Sequence, residues 1–181
     1  MEQWMELQKW TFQQTFFHEN LKLGAGGETG ADNRILEEVF NCTGTTILGK
    51  RMFDGGEQYW PEEAPFHTPV FVVTHAVREP WERPGGITFF FVNDGMERAL
   101  RQARAAAGDR DVRIGGGANL IQQYLNAGLV DEFHIALSPV FFGVGTSLFA
   151  GSDRHTVGLE IVAAINSPLV THLRYTVINR G

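Results

Sequence analysis

Cysteine is almost absent from this sequence of 181 residues. Cys42 stands alone, so no internal disulfide can form and no Cys-x-x-Cys pair is available for zinc or redox chemistry. A reducing cytoplasm is the compartment this implies. The sequence also lacks any run of lysine or arginine. Its 15 basic residues are spread thinly among 21 acidic ones, and the formal charge of −6 argues against a nucleic-acid groove or an anionic membrane surface as partner. No stretch approaches the roughly 18 apolar residues of a membrane span. The first twenty residues carry Trp4, Leu7, Trp10, Phe12, Phe16 and Phe17 but are interrupted by Glu2, Gln3, Glu6, Lys9 and Gln13, unlike the unbroken apolar core of a signal peptide. Hydrolase and metalloenzyme signatures are missing too. There is no Gly-x-Ser-x-Gly elbow, and the six histidines show no metal-ligand spacing, so no metal site is expected.

What is present suits a packed globular domain: 43% of residues are hydrophobic and 12% aromatic. Short β-branched or aromatic runs at 45–48, 69–74, 87–92, 112–114 and 133–140 read as buried strands. Between them lie amphipathic helices. Ile35, Leu36, Val39 and Phe40 mark one, Leu120, Ile121, Tyr124 and Leu125 another. A third carries Met96, Ala99, Leu100, Ala103 and Ala107, with Asp94 and Glu97 spaced as a capping box and Gly108 as its stop; Gly128 stops the helix before it. Alternating strands and helices predict a three-layer α/β/α fold with a mostly parallel central sheet. Segments 159–165 and 170–178 are separated only by Asn166-Ser167-Pro168-Leu169, which predicts a C-terminal antiparallel hairpin on that sheet. Along the last strand His172, Arg174 and Thr176 alternate with Leu173, Tyr175 and Val177, predicting one solvated face. The expected organisation is an aromatic-rich segment at 1–25, as helix or arm, and one domain at 26–181.

Candidate ligand positions follow from strand ends, where open parallel sheets bind ligands beside helix N-termini. Gly49-Lys50-Arg51 follows the first strand, Thr74-His75 the second, and Gly115-Gly116-Gly117 precedes a helix. The cations read equally as solvated charges, and the glycines equally as a turn without a ligand. The glycine run is neither a Gly-x-Gly-x-x-Gly fingerprint nor a Walker loop. Asp131 and Glu132, adjacent on a strand, point to opposite faces and do not suggest a catalytic pair. His134 reads as a strand histidine with polar neighbours.

Five motifs in order carry a resemblance: ILGKRMF at 47–53, PVFVVTH at 69–75, VRIGGGANLIQQYL at 112–125, GLVDEFHI at 128–135 and PVFFGVGTSLF at 139–149. Together they resemble the dihydrofolate-reductase-like superfamily. The branch is that of the reductase domain of the riboflavin-biosynthesis deaminase-reductase and its stand-alone relatives. The resemblance implies an NADPH-dependent reductase acting on a pyrimidine- or pteridine-like ring, commonly as a homodimer. By resemblance, Gly49, Lys50 and Arg51 would meet cofactor phosphates, Thr74 and His75 would flank the adenosine ribose phosphate, and Gly115, Gly116 and Gly117 would carry the pyrophosphate. Ala118, Asn119 and Leu120 open the helix behind it; Ala118 stands where dihydrofolate reductases often have a basic residue. Phe142, Gly143 and Gly145 match a loop that would face the substrate's ribose phosphate, though they also fit a plain turn.

Asp32 is the resemblance's candidate for catalysis, as a carboxylate that would orient the ring and raise the proton affinity of the reducing centre. It could equally cap the helix carrying Ile35 to Phe40. One departure stands out: nothing before Gly24 matches the family's first strand, which ends in a Ser-x-Asp-Gly-type motif. By resemblance that strand is central, beside 112–114 and 133–140. An alternative function is therefore a non-catalytic nucleotide-binding module that keeps the cofactor pocket and lacks part of the substrate site.

Overall fold

The computed structural model describes residues 2–151 and 157–179, and the chain forms two compact units, residues 41–123 and residues 1–40 with 124–181. The helices before the first strand are α1 (Glu2–Leu7), α2 (Lys9–Phe12), α3 (Thr15–Asn20) and α4 (Ala31–Cys42). Then come β1 (Thr43–Gly49), α5 (Lys50–Glu57), β2 (Val70–Val73), β3 (Trp81–Arg83), β4 (Ile87–Val92), α6 (Met96–Ala107) and β5 (Asp111–Gly116). The chain ends with α7 (Ala118–Asn126), β6 (Glu132–Leu137), β7 (Val157–Asn166) and β8 (Thr171–Asn179).

In the unit of residues 41–123, a five-stranded sheet runs in the order β3-β4-β2-β1-β5. β1 is parallel to β2 and β5, and β2 is parallel to β4, while short β3 adds an antiparallel edge. β1 and β2 are buried on both faces, as a parallel sheet covered on each side requires. On one face Leu48, Val70, Val72 and Phe89 join Phe53 of α5 in a buried cluster, extended by Trp60, Phe66, Trp81 and Phe91. The aromatics interlock at defined angles: Trp60 stacks on Phe89 at 5.4 Å and Phe53 meets it edge-on at 5.5 Å. α6 lies against β1 and β2, burying Ala99, Leu100 and Ala103.

In the other unit, β6, β8 and β7 form a three-stranded antiparallel sheet in that order. The sequence places 133–140 and the terminal hairpin on the parallel sheet. Instead β6 pairs with β8 and the hairpin makes its own sheet with it. Among the described residues β5 pairs only with β1 and β6 only with β8, so each is a sheet edge. The N-terminal aromatics pack among themselves and on α4. Trp4 meets Phe12 at 5.6 Å, Phe12 meets Phe17 at 5.1 Å and Phe16 meets Phe40 at 5.1 Å, while the Phe16 N–H donates to Asn33 Oδ1.

Other local expectations change as well. The proposed capping box at α6 is not formed: Gly95 is the N-cap, and Asp94 instead pairs with Arg98 one turn on. Gly108 does stop α6, in the left-handed region at φ 62°. Lys50 to Glu57, for which the sequence reading names no element, is a helix, and it turns Phe53 into the aromatic cluster. The polar face of β8 is not solvated at His172, which is 1% exposed beneath Trp10 and Asp32.

Candidate functional site

The carboxyl ends of β1, β2 and β5 lie level with one another. Gly49 is in register with Val73, and Leu48 with Gly116, so the segments Gly49-Lys50-Arg51, Thr74-His75 and Gly115-Gly116-Gly117 emerge at one edge of the sheet. Sequence spacing anticipates this convergence, and parallel pairing produces it.

Each glycine of the run meets a different environment. A Cβ on Gly115 would lie 2.9 Å from Leu48 Cδ2, so a side chain there requires buried Leu48 to shift. Gly116 has φ 124°, a conformation that side chains rarely adopt, and its bond to Gly117 is cis. A Cβ on Gly117 would meet nothing within 4 Å. The space beside Gly117 is open. Gly49 comes close on the other side, where a Cβ would sit 3.4 Å from the Gly117 nitrogen and 3.6 Å from Leu120.

Gly117 starts α7: its carbonyl accepts from the N–H groups of Leu120 and Ile121. The first N–H groups of a helix have no intrahelical partner and sit at its positive end. Ala118 and Asn119 supply them here, and the Asn119 side chain is turned away to accept from Gln123 at 2.8 Å. Backbone N–H groups, open space and helix polarity together suit an anion.

The flanking candidates differ in readiness. Thr74 is buried; its N–H donates to the Val92 carbonyl and its Oγ1 accepts from the Ala76 N–H. His75 and Arg51 are exposed. Lys50 forms an ion pair with Asp54 one turn along α5, both half-exposed. Such a pair is worth roughly 0 to 1 kcal/mol and exchanges easily. Among the described residues no cluster of histidine, cysteine, aspartate and glutamate could hold a metal ion. No helix among them is long and apolar enough to cross a membrane.

Asp32, in the unit of residues 1–40 and 124–181, lies in the first turn of α4 and is 7% exposed. Its Oδ1 is 3.1 Å from His172 Nε2. With the carboxylate ionised it only accepts and the imidazole donates; with the carboxyl protonated the roles reverse. The other nitrogen of His172 lies 2.9 Å from His134 Nε2. His134 therefore does face a polar neighbour. Sequence reasoning missed His172, because its partner lies 140 positions away and nothing local marks it. Phe142, Gly143 and Gly145 lie in an irregular segment after β6, with Gly143 at φ 70° and Phe141 beside them fully exposed.

Comparison with known proteins bears on the fold and the family. The RibD C-terminal domain profile matches residues 9–170. The uncharacterized protein YyaP of Bacillus subtilis is 28% identical over 131 residues, covering 69% of each chain. Among solved structures, a candidate riboflavin biosynthesis protein from Shewanella sp. PV-4 superposes with a TM-score of 0.67 at 19% identity, covering 89% of this chain and 88% of its own. A pyrimidine reductase-like protein from Corynebacterium diphtheriae gives 0.57 at 15% identity, with coverages of 84% and 83%. The Thermotoga maritima diaminohydroxyphosphoribosylaminopyrimidine deaminase/5-amino-6-(5-phosphoribosylamino)uracil reductase gives 0.57 at 17% identity; 82% of this chain aligns, over 49% of that longer one. By profile and by its dihydrofolate-reductase-like fold, this chain belongs to the RibD C-terminal domain family.

Proposed function

We propose that this protein is a reductase that takes hydride from NADPH and delivers it to a pyrimidine- or pteridine-like ring. The observation that carries this reading is the glycine edge, where Gly49 and Gly116 adjoin the start of α7 and a Cβ on Gly117 would meet nothing within 4 Å. These residues fit a pyrophosphate, since the backbone can approach without a side chain in the way and the helix end favours negative charge.

In this reading the N–H groups of Gly117, Ala118 and Asn119 hold the pyrophosphate, and Leu120 supports Gly49 from beneath. The Thr74 hydroxyl, already accepting from Ala76, keeps its own proton to donate to a phosphate oxygen. His75, Lys50 and Arg51 provide positive charge for the ribose phosphate, with Lys50 exchanging Asp54 for it. NADPH, when bound, supplies the hydride. Asp32 orients the ring by accepting from its N–H groups and holds a proton for it, while Phe142, Gly143 and Gly145 form the loop for a phosphate on the substrate. A homodimer is supported by the edge strand β7, which exposes Leu159, Ile161 and Val162, a grouping uncommon on a monomer's surface.

A second reading, nucleotide binding without turnover, draws on the bare edges of β5 and β6. Thermal-shift titration with NADPH and NADH, followed by NADPH oxidation assays with pterins and ribosylaminopyrimidines, separates the two. The reductase reading expects a shift and turnover. A shift with no turnover on any such ring favours the second reading, and no shift removes both.

A further inference from the structure

On one face of the three-stranded sheet, a carboxylate and two imidazoles are joined end to end. Asp32 comes from α4, His172 from β8 and His134 from β6, with contacts of 3.1 Å from Asp32 Oδ1 to His172 Nε2 and 2.9 Å from His172 Nδ1 to His134 Nε2. The strand opposite His172 places Ala136 there, and His134 lies across from Arg174, so the two imidazoles meet diagonally with ring centres 5.0 Å apart. Trp10 closes the top of His172, edge-on at 4.8 Å. Exposure rises along the series from buried Asp32 and His172 to half-buried His134.

Both ring nitrogens of His172 are thus committed. With Asp32 ionised, His172 Nε2 carries a proton and donates it, and a neutral His172 must then accept at Nδ1 from His134 Nε2. When His134 is protonated on both nitrogens, a proton can move from its Nε2 to His172 Nδ1 while the proton on His172 Nε2 moves to Asp32 Oδ1. One N–H bond breaks on His134, one breaks and one forms on His172, and an O–H bond forms on Asp32, with no change of oxidation state. The visible consequence is that His172 switches from its Nε2–H to its Nδ1–H tautomer.

We propose that His134 and His172 are a proton relay that recharges the buried Asp32 carboxylate from the more accessible side of the sheet. The use of that proton by a substrate ring rests on the reductase reading; the relay itself does not. Both histidines are positioning residues. Among the neighbouring charges, Arg174, across from His134, bonds Glu38 of α4 at 2.7 Å and lies 3.8 Å from Glu132 of β6. β7 places uncharged Ile165 and Ala163 opposite His172 and Arg174. α2 contributes Trp10.

The test uses the full chain with 15N-labelled histidine and long-range 1H–15N spectra between pH 5 and 9. The relay predicts that His134 and His172 signals move together over one pH range, with His172 changing tautomer character. His134→Gln should abolish that movement in His172 while circular dichroism stays unchanged. A His172 that keeps one tautomer throughout in the wild type overturns the relay, a result readable even if the variant fails to fold. Movement of His172 that persists unchanged in a folded His134→Gln also overturns it. With a ring substrate in hand, His134→Gln should lower kcat roughly ten-fold or more with KM unchanged, and an unchanged kcat contradicts the delivery role. Absence of any wild-type turnover counts against the reductase reading, while the spectra still decide the relay.

Discussion

Alanine replacements along Gly115-Gly116-Gly117 separate packing from binding, because each position meets a different neighbour. Gly115→Ala pushes a methyl to 2.9 Å from Leu48 Cδ2, and Gly116→Ala forces a side chain onto φ 124°; each should cost about 1 to 3 kcal/mol. Gly117→Ala meets nothing within 4 Å and has no positive φ, so thermal unfolding should change little while NADPH affinity falls ten-fold or more. An unchanged affinity in that variant removes the cradle. Lys50 bears on cofactor choice: Asp54→Asn releases it from its ion pair and should strengthen NADPH binding several-fold relative to NADH. Competitive binding of the two cofactors reads this directly, and equal gains for both would remove the ribose-phosphate role.

Tyr124 gives a pH dependence at the same scale. It is fully buried, and burial pushes its phenol up to about 12. The folded protein keeps this proton where the unfolded chain, near the ordinary value of about 10, loses it. Stability from this group is therefore complete below about pH 10 and falls as pH rises to about 12, by roughly 2 to 3 kcal/mol. Urea unfolding at pH 9 and pH 11 should show the fall in the wild type and a smaller one in Tyr124→Phe.

Elements were legible in the sequence where periodicity is strong and local. The run Ile87 to Val92 and the stripe Met96 to Ala107 fall on β4 and α6 with the same bounds. Legibility ended where a partner far along the chain decides. Nothing near position 50 announces α5; the helix exists because Phe53 completes a cluster drawn from β1, β2 and β4. His172 reads as a solvated strand position until α4 is laid over it, and α4 is fixed by Asp32 and Glu38 meeting β8. That joint yields a contrast. Asp32→Ala leaves a buried imidazole N–H unpaired, costing about 1 to 3 kcal/mol, and should lower Tm by about 3 to 10 °C. Glu38→Ala breaks an exposed pair and should change Tm by about 2 °C or less. Equal losses in the two variants would contradict the buried contact between α4 and β8.

For the whole molecule, family membership was readable because five motifs keep their order, and the solved relatives share the fold at identities of 15 to 19%. Grouping of the strands was not readable. Apolar runs such as Phe133 to Val140 do not reveal whether a strand joins a parallel sheet or a hairpin, and β6 takes the hairpin. If β7 mediates a homodimer, Ile161→Glu should convert it to monomer by light scattering, and an unchanged mass would exclude that surface. The central claim is cofactor binding at the glycine edge. Calorimetric titration of the wild type and Gly117→Ala with NADPH tests it most directly. The account predicts micromolar or tighter binding to the wild type and a ten-fold or greater loss in the variant; no heat of binding at millimolar NADPH, or equal affinities, would contradict it.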